Sequence, residues 1–225
     1  MDGHDDRLAS MAVEGVRAGM VVGLGTGRAA ARAIKALARR VRTEGMKIRT
    51  VSTSRGSEEL ALALGLFVEG FGSVDRVDYL FDGADEVDPR LRMIKGGGGA
   101  MTREKIVARE AKRRVYLVDE SKLVARLGEK RPVPIEVVEF AAEAVIRRLG
   151  HLGMRGVIRC EGERIVRTDN GNVIVDAAMD ASHEPEQIAD ALDRISGVVE
   201  HGLFLSEADE VLVERAGGVV ERRER

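Results

Sequence analysis

The fold is decided by residues 20–30, which read MVVGLGTGRAA. The apolar run at 20–24 predicts a buried strand, and the glycines at 25 and 27 predict a sharp turn directly after it. Apolar residues then recur at positions 30, 34, 37, 38 and 41, which is the spacing of an amphipathic helix. Strand, glycine turn and helix together predict the first unit of an α/β fold.

The same alternation continues through the first half of the chain. Further strands are predicted at 48–53, 77–81, 91–94 and 115–118, and helices at 57–64 and 102–113. Strands that alternate with helices of this length indicate a parallel sheet covered on both faces. A short apolar run at 211–213 is expected to return to this sheet, and the charged tail at 221–225 is expected to fray.

A second domain is predicted after two closely spaced prolines, Pro132 and Pro134. Strand 135–138, helix 141–149, strands 157–159 and 172–177, helix 185–195 and strand 198–204 follow in the order βαββαβ of a ferredoxin-like module. The Asn170-Gly171 pair predicts a tight hairpin turn. We therefore predict an α/β protein with a Rossmann-like open parallel-sheet core (1–128, joined again by 205–225) and a smaller ferredoxin-like α+β domain (129–204).

Composition excludes several classes of function. Among 225 residues the formal net charge is −2 and aromatic residues make up 3%, so neither nucleic acid nor a membrane surface is expected as a partner. The acidic start, the absence of a long apolar run and the single cysteine, Cys160, predict a cytoplasmic protein without an intrachain disulfide. The four scattered histidines (His4, His151, His183 and His201) are predicted to be surface or core residues, so no metal site built on histidines is expected.

Polar clusters follow the candidate parallel strands, where ligands bind in an open sheet. The turn at 25–27 and the polar run at 52–55 suit a phosphate group. A dinucleotide is disfavoured because Arg28 replaces the third glycine of that fingerprint. The acidic run at 82–86 fits either a solvated turn or a Mg²⁺ site.

A second glycine run, Gly96–Gly99, lies between Lys95 and a predicted helix. Thr102 is expected to cap that helix, and Glu104 is expected to lie in its first turn. A mobile cationic loop beside a fixed carboxylate suits the transfer of a proton next to a carbonyl group. The fourth cluster, at 119–122, contains Lys122.

These motifs resemble those of the type A ribose-5-phosphate isomerase family. The resemblance runs in order from about residue 13 to 213 and includes five motifs: GLGTG at 23–27, DGADE at 82–86, KGGG at 95–98, TREKI at 102–106 and DNGN at 169–172. It implies a metal-independent aldose–ketose isomerase of the non-oxidative pentose phosphate pathway. It also implies a homodimer or homotetramer that acts on a sugar phosphate without a cofactor.

The resemblance further implies a role for each matching residue. Glu104 corresponds to the proton acceptor, Asp82 and Asp85 to carboxylates that hold sugar hydroxyls, and Lys95 to a cation that stabilises the oxyanion. The matching substrate-binding residues are Thr26, Gly27, Arg28, Ala29, Gly83, Ala84, Gly96, Gly97, Gly98 and Lys122.

One departure is that Arg28 and Ala29 stand where the family usually has Ser-Thr. Arg28 is expected either to bind the phosphate or to crowd the pocket. Two other interpretations stay open: an amino-sugar-phosphate deaminase, which would need a catalytic histidine, and a sugar-phosphate sensor that binds without turnover.

Overall fold

A computed structural model describes residues 6–225, so the first five residues, including His4, lie outside the described part. The chain divides into two compact units. The first comprises the described part of Met1–Gly83 with Arg103–Ser121 and Glu207–Arg225, and the second comprises Ala84–Thr102 with Lys122–Ser206. The predicted domain boundaries stay a prediction; the compact units assign 84–102 and 122–128 to the second unit.

The described residues form six α-helices and fifteen strands. The helices are α1 (Arg7–Ala12), α2 (Gly27–Glu44), α3 (Arg55–Ala63), α4 (Met101–Glu110), α5 (Ala142–His151) and α6 (Pro185–Leu192). The strands are β1 (Val21–Leu24), β2 (Arg49–Ser52), β3 (Val77–Asp82), β4 (Glu86–Val87), β5 (Met93–Ile94), β6 (Ala111–Asp119), β7 (Val133–Val137), β8 (Arg155–Ile158), β9 (Cys160–Glu161), β10 (Arg164–Ile165), β11 (Val173–Ala178), β12 (Val198–His201), β13 (Leu203–Phe204), β14 (Glu210–Glu214) and β15 (Val220–Glu224).

A six-stranded sheet in the order β15-β14-β6-β3-β1-β2 forms the centre of the first unit. All neighbouring strands are parallel except β15, which runs antiparallel to β14. All four residues of β1 are buried, as expected for a central strand that has a continuous apolar run. Ile34 and Leu37 of α2 pack into the same core as Leu8 of α1. The predicted α/β core is confirmed.

Three segments of the first unit differ from the prediction. The sequence pattern misses α1, which Asp6 caps by accepting the Ala9 N–H (3.0 Å). The helix predicted over 102–113 ends at Glu110, and β6 begins at the next residue. The prediction that the tail frays is wrong, because β15 pairs with β14 and Glu221 forms an ion pair with Arg215 (2.6 Å). Charged side chains are compatible with an edge strand because they can remain at the surface.

The second unit contains a four-stranded antiparallel sheet in the order β12-β7-β11-β8. Counted from β7, this is the strand order 4-1-3-2, with α5 and α6 as the two connecting helices of a ferredoxin-like βαββαβ module. Its core consists of inward-facing residues such as Ile135, Val145 and Val175. The predicted ferredoxin-like part of the fold is confirmed.

Two strand predictions in the second unit are wrong. Residues 91–94 do not add a parallel strand to the main sheet; β5 instead lies between β4 and β13 in a small antiparallel sheet. The strand predicted over 198–204 is interrupted at Gly202, whose carbonyl oxygen accepts the Lys95 N–H (2.9 Å). A Cβ on residue 202 would lie 2.2 Å from the Lys95 carbonyl oxygen, so this close approach requires glycine.

None of the helices in the described residues combines the length and the hydropathy that a membrane crossing would need.

Candidate active site

The turn after β1 packs against the end of β3. Gly25 donates its N–H to the Phe81 carbonyl oxygen (3.0 Å), and Thr26 donates its N–H to Asp82 Oδ1 (2.9 Å). A Cβ on residue 25 would lie 2.2 Å from Asp82 Oδ1 and 2.6 Å from Asp82 Cα, so only glycine fits. Gly27 begins α2. The glycine turn therefore holds the Asp82 carboxylate at the edge of the sheet where the parallel strands end.

A cavity of about 230 Å³ lies beside this turn and is lined by Gly25, Thr26, Gly27, Ala31, Ile34, Ser54, Gly56, Ser57 and Leu60. Two helices begin here: Thr26 precedes α2, and Ser54 caps α3 by accepting the Ser57 N–H (3.2 Å). The Thr26 hydroxyl lies 2.7 Å from Thr53 Oγ1 and donates to Ser54 Oγ (2.8 Å). Because helix N-termini favour negative charge, the cavity suits a phosphate group.

Asp82 is the last residue of β3 and is fully buried. Its Oδ1 atom accepts the N–H of Gly83 (2.7 Å) as well as that of Thr26. Hydrogen bonds from two backbone donors fix the orientation of the carboxylate. The structure therefore brings three of the predicted site residues, Thr26, Asp82 and Gly83, into one hydrogen-bonded group.

Tyr116 is a neighbour of Asp82 that none of the sequence motifs indicates. The two residues are partners in the parallel register of β3 and β6, and Tyr116 is fully buried. Burial raises the pKa of the Tyr116 phenol well above its usual range, and the negative charges of Asp82, Glu207 and Glu104 raise it further. The phenol is therefore neutral at physiological pH. Only the register between two strands could have indicated this residue.

Glu104 lies in the first turn of α4 and is 4% exposed. The next residue, Lys105, is also buried, whereas Ile106 is 45% exposed. Charged residues are seldom buried in a helix unless they are paired or serve a site. The prediction that Thr102 caps this helix is wrong, because α4 begins at Met101 and the Thr102 hydroxyl donates to Glu136.

Asp85, in the second unit, is bound by the second glycine run. Its Oδ2 atom accepts the Gly97 N–H (2.7 Å), and the side chain is partly exposed. A Cβ on residue 97 would lie 2.7 Å from Asp85 Oδ1 and 2.9 Å from Oδ2. As at Gly25, the absence of a side chain allows the backbone to approach a carboxylate.

Lys95 is buried at 2% exposure, and its Nζ atom lies 5.5 Å from the centre of the Phe204 ring. The loop after it is anchored by hydrogen bonds: Gly99 N–H donates to the Gly96 carbonyl oxygen (2.9 Å), and Arg159 Nη1 donates to the carbonyl oxygens of Gly96 (3.1 Å) and Gly97 (2.9 Å). These hydrogen bonds define the backbone conformation of the loop, and the expectation that the loop is mobile stays a prediction. A distant arginine, which belongs to none of the sequence motifs, holds it.

The remaining predicted residues lie at the surface of their units. Arg28 is exposed and Ala29 partly exposed in the first turn of α2, and Ala29 Cβ lies 3.4 Å from the position of a Cβ on Gly83. In the second unit, Ala84 is partly exposed and Gly98 exposed. Lys122 is partly exposed at the end of a short 3₁₀ segment, Glu120–Lys122.

Three potential metal ligands, Asp193, Glu200 and His201, form a cluster that sequence spacing does not reveal. His201 is buried, its Nδ1 atom accepts the Leu203 N–H (3.2 Å), and its Nε2 atom lies 3.2 Å from Asp193 Oδ1. The burial of His201 matches the prediction of a core histidine.

The sequence pattern of a known family, ribose 5-phosphate isomerase A (phosphoriboisomerase A), matches residues 49–218. A ribose-5-phosphate isomerase A from Sphingopyxis alaskensis is 49% identical over 217 residues, covering 96% of this chain and 94% of the relative. The solved ribose 5-phosphate isomerase A of Methanocaldococcus jannaschii superposes with a TM-score of 0.92 at 42% identity, covering 98% of this chain and 97% of that one. A D-ribose-5-phosphate isomerase in complex with phospho-erythronic acid gives a TM-score of 0.93 at 38% identity, with the same coverage of 98% and 97%.

The fold, the buried acidic groups and these similarities define the class: this chain is an aldose–ketose isomerase. Within that class, it belongs to the ribose 5-phosphate isomerase A family. This membership favours neither the deaminase nor the sensor interpretation.

Proposed function

We propose that the chain interconverts D-ribose 5-phosphate and D-ribulose 5-phosphate through a cis-enediolate, with Glu104 as the group that carries the proton. The observation that carries this proposal is the buried Glu104 carboxylate in the first turn of α4, in a chain of the ribose 5-phosphate isomerase A family. A solved relative binds phospho-erythronic acid. The planar carboxylate of that four-carbon acid resembles the C1–C2 part of an enediolate.

The proposed chemistry is a proton transfer between neighbouring carbons. After the sugar ring opens, Glu104 removes the proton from C2 of the aldose. The C2–H electron pair forms the C1–C2 double bond, and the π electrons of the C1 carbonyl move onto O1, which gives the enediolate. The proton then returns to C1, which yields the ketose. A positioned carboxylate of this kind contributes roughly 10²–10⁴-fold to the rate.

We assign Asp82, Asp85 and Lys95 to interactions with the oxygen atoms of the substrate. The two carboxylates hold sugar hydroxyls and move the proton between O1 and O2 during ring opening and isomerisation. Lys95 stabilises the negative charge that develops on the enediolate oxygen, an effect that is strong in a buried site. The burial of Asp82 and Lys95 supports these roles.

The phosphate group is assigned to the cavity at the start of α2 and α3. Thr26 and Gly27 line it, and Arg28 and Ala29 follow in the first turn of α2. We propose that the Arg28 guanidinium supplies the positive charge for the phosphate. The family resemblance further assigns substrate binding to Gly83, Ala84, Gly96, Gly97, Gly98 and Lys122.

The experiment that tests this proposal follows ketose formation from ribose 5-phosphate. In Glu104→Gln, kcat should fall by roughly 10²–10⁴-fold while the fold is retained. Glu110→Gln is the matched control, because Glu110 is the exposed last residue of the same helix. Wild-type turnover in Glu104→Gln, or equal losses in both variants, would contradict the assignment of Glu104.

The proposed mechanism requires neither a cofactor nor a metal ion, because isomerisation only moves protons. Activity should therefore survive exhaustive treatment with EDTA. Loss of activity that added metal restores would contradict this part of the proposal.

We further propose a cytoplasmic homodimer or homotetramer, as the family resemblance implies. Light scattering coupled to size exclusion would measure the number of subunits, and a monomer would contradict this proposal.

A further inference from the structure

Glu136 is a buried carboxylate outside the groups assigned to the reaction. It lies in β7, a strand whose five residues are all buried, and it is itself 1% exposed. An apolar residue would be expected at such a position, because burying a carboxylate is costly unless it is well hydrogen-bonded.

Four neutral side chains donate hydrogen bonds to Glu136. Its Oε1 atom accepts from Thr168 Oγ1 (2.8 Å), Asn172 Nδ2 (2.8 Å) and Asn170 Nδ2 (3.1 Å). Its Oε2 atom accepts from Thr102 Oγ1. Residues that are far apart in the sequence therefore converge on one carboxylate.

The hydrogen bonds to Glu136 explain the DNGN motif at 169–172, which the formation of a hairpin turn does not fully explain. The turn at 169–172 requires a glycine, and Gly171 has a φ of +88°. Turn formation does not require both flanking asparagines, yet Asn170 and Asn172 both direct their amide groups at Glu136. The motif therefore organises a site for a carboxylate as well as a turn.

The fourth donor connects this site to Glu104. Thr102 is the second residue of α4 and Glu104 is the fourth, so both belong to the first turn of the helix. Residues two apart on a helix point to different sides. Any influence of Glu136 on Glu104 would therefore have to pass along the helix backbone from Thr102. A negative charge near a helix N-terminus is also electrostatically favourable.

We propose that Glu136 is a positioning residue for the isomerisation: it anchors the first turn of α4 and thereby sets the position of the Glu104 carboxylate. This inference rests on the proposed function, in which Glu104 carries the proton. Small displacements of a reacting group lower the rate of the chemical step far more than they lower substrate binding.

The test is a double-mutant cycle. Glu136→Gln replaces an acceptor oxygen by an amide group that faces donors, so kcat should fall roughly tenfold or more, while KM changes by less than about twofold. In the Glu104→Gln background, the same change should alter the residual kcat by less than about twofold, because there is no longer a base to position.

The possible outcomes distinguish a failure of the positioning role of Glu136 from a failure of the proposed function. Equal losses in both backgrounds, or an unchanged kcat in Glu136→Gln, would overturn the positioning role. Full activity in Glu104→Gln would instead overturn the proposed function, and the inference with it. Asp88→Asn is the matched control: Asp88 is a buried carboxylate of the same unit, bound by Arg92 (2.6 Å), and its variant should lower thermal stability without the change in kcat.

A second pair of variants applies if Glu136→Gln fails to fold. Thr102→Val removes only the hydroxyl that α4 donates to Glu136, and kcat should fall roughly threefold to tenfold. Thr102→Ser keeps a hydroxyl and should restore most of that loss. A Thr102→Val enzyme with wild-type kcat, or a Thr102→Ser enzyme as impaired as Thr102→Val, would overturn the inference.

Discussion

Asp82 and Asp85 stand three residues apart, and each accepts a backbone N–H from a glycine-containing turn: Thr26 N–H at 2.9 Å and Gly97 N–H at 2.7 Å. At Asp82 the turn presses against the backbone, since a Cβ on Gly25 would lie 2.6 Å from Asp82 Cα. At Asp85 the nearest atoms to a Cβ on Gly97 are the carboxylate oxygens, at 2.7 and 2.9 Å. The first turn is part of the sheet framework, whereas the second is tied to a side chain that can rotate.

The two turns also differ in what supports them. The turn at 25–27 needs only its own strand and the neighbouring one, because Gly25 N–H donates to the Phe81 carbonyl oxygen. The loop at 96–99 depends on Arg159, which itself forms an ion pair with Asp176 (2.5 Å). Similar contacts with a carboxylate thus arise from local geometry in one case and from a distant side chain in the other.

The largest effect is expected for Gly25→Ala, which attacks the first turn. The new Cβ overlaps the Asp82 backbone, and such overpacking costs about 1–3 kcal/mol or more of unfolding free energy. We expect a lower melting temperature together with a loss of activity of at least roughly a hundredfold. Thermal unfolding and steady-state kinetics measure the two effects, and a stable, active variant would show that the strand end can move.

Gly97→Ala should separate activity from stability. Its Cβ displaces only the Asp85 carboxylate, so we expect kcat/KM to fall roughly tenfold while the unfolding free energy changes by less than about 1 kcal/mol. Gly150→Ala is a suitable control, because this glycine lies within α5 and a Cβ on it would meet open space, so the variant should be neutral or slightly stabilising. Equal destabilisation by Gly25→Ala and Gly97→Ala would contradict the proposed difference between the two turns.

Arg28→Ala tests the phosphate side of the first turn. If the exposed guanidinium holds the phosphate, KM for ribose 5-phosphate should rise roughly tenfold, in the range of a lost charge-assisted hydrogen bond, with kcat nearly unchanged. A lower KM in the variant would show instead that Arg28 obstructs the pocket.

The smallest effect is expected for Tyr116→Phe, which probes the register partner of Asp82 on the neighbouring strand β6. Burial raises the pKa of Tyr116 in the folded state, so the native protein holds a proton that the unfolded chain releases above about pH 10. This contribution to stability is therefore complete below the unfolded pKa and decreases as the pH rises above it. The variant should lose less stability than the wild type between neutral and strongly alkaline pH in denaturant titrations. Identical pH dependence would contradict this prediction.

Much of the framework was predictable because its signals are local. A glycine turn between an apolar run and a helical stripe predicted β1 and α2, and the order of elements predicted the ferredoxin-like module. The errors arose where pairing between distant segments determines the secondary structure. Residues 91–94 pair antiparallel with β4 and β13, and the charged tail pairs with β14.

The candidate site shows the same difference between local sequence signals and long-range contacts. Asp82, Asp85, Lys95 and Glu104 could be singled out from their motifs, whereas Tyr116, Arg159 and Glu136 could not. Tyr116 depends on the register of two parallel strands, and Arg159 contacts a loop about sixty residues earlier in the chain. Neither relation leaves a pattern in a single sequence, because spacing along the chain does not encode which strands are neighbours.

The amino-acid sequence alone determined the type of fold, the family and the acidic and basic groups available for chemistry. It could do so because short-range sequence patterns predict strands, helices and glycine turns. Tertiary structure alone decided which donors reach each carboxylate: Thr26 and Gly83 for Asp82, Gly97 for Asp85, and four side chains for Glu136. The physical reason is that a buried charge must find hydrogen bonds wherever the folded chain supplies them.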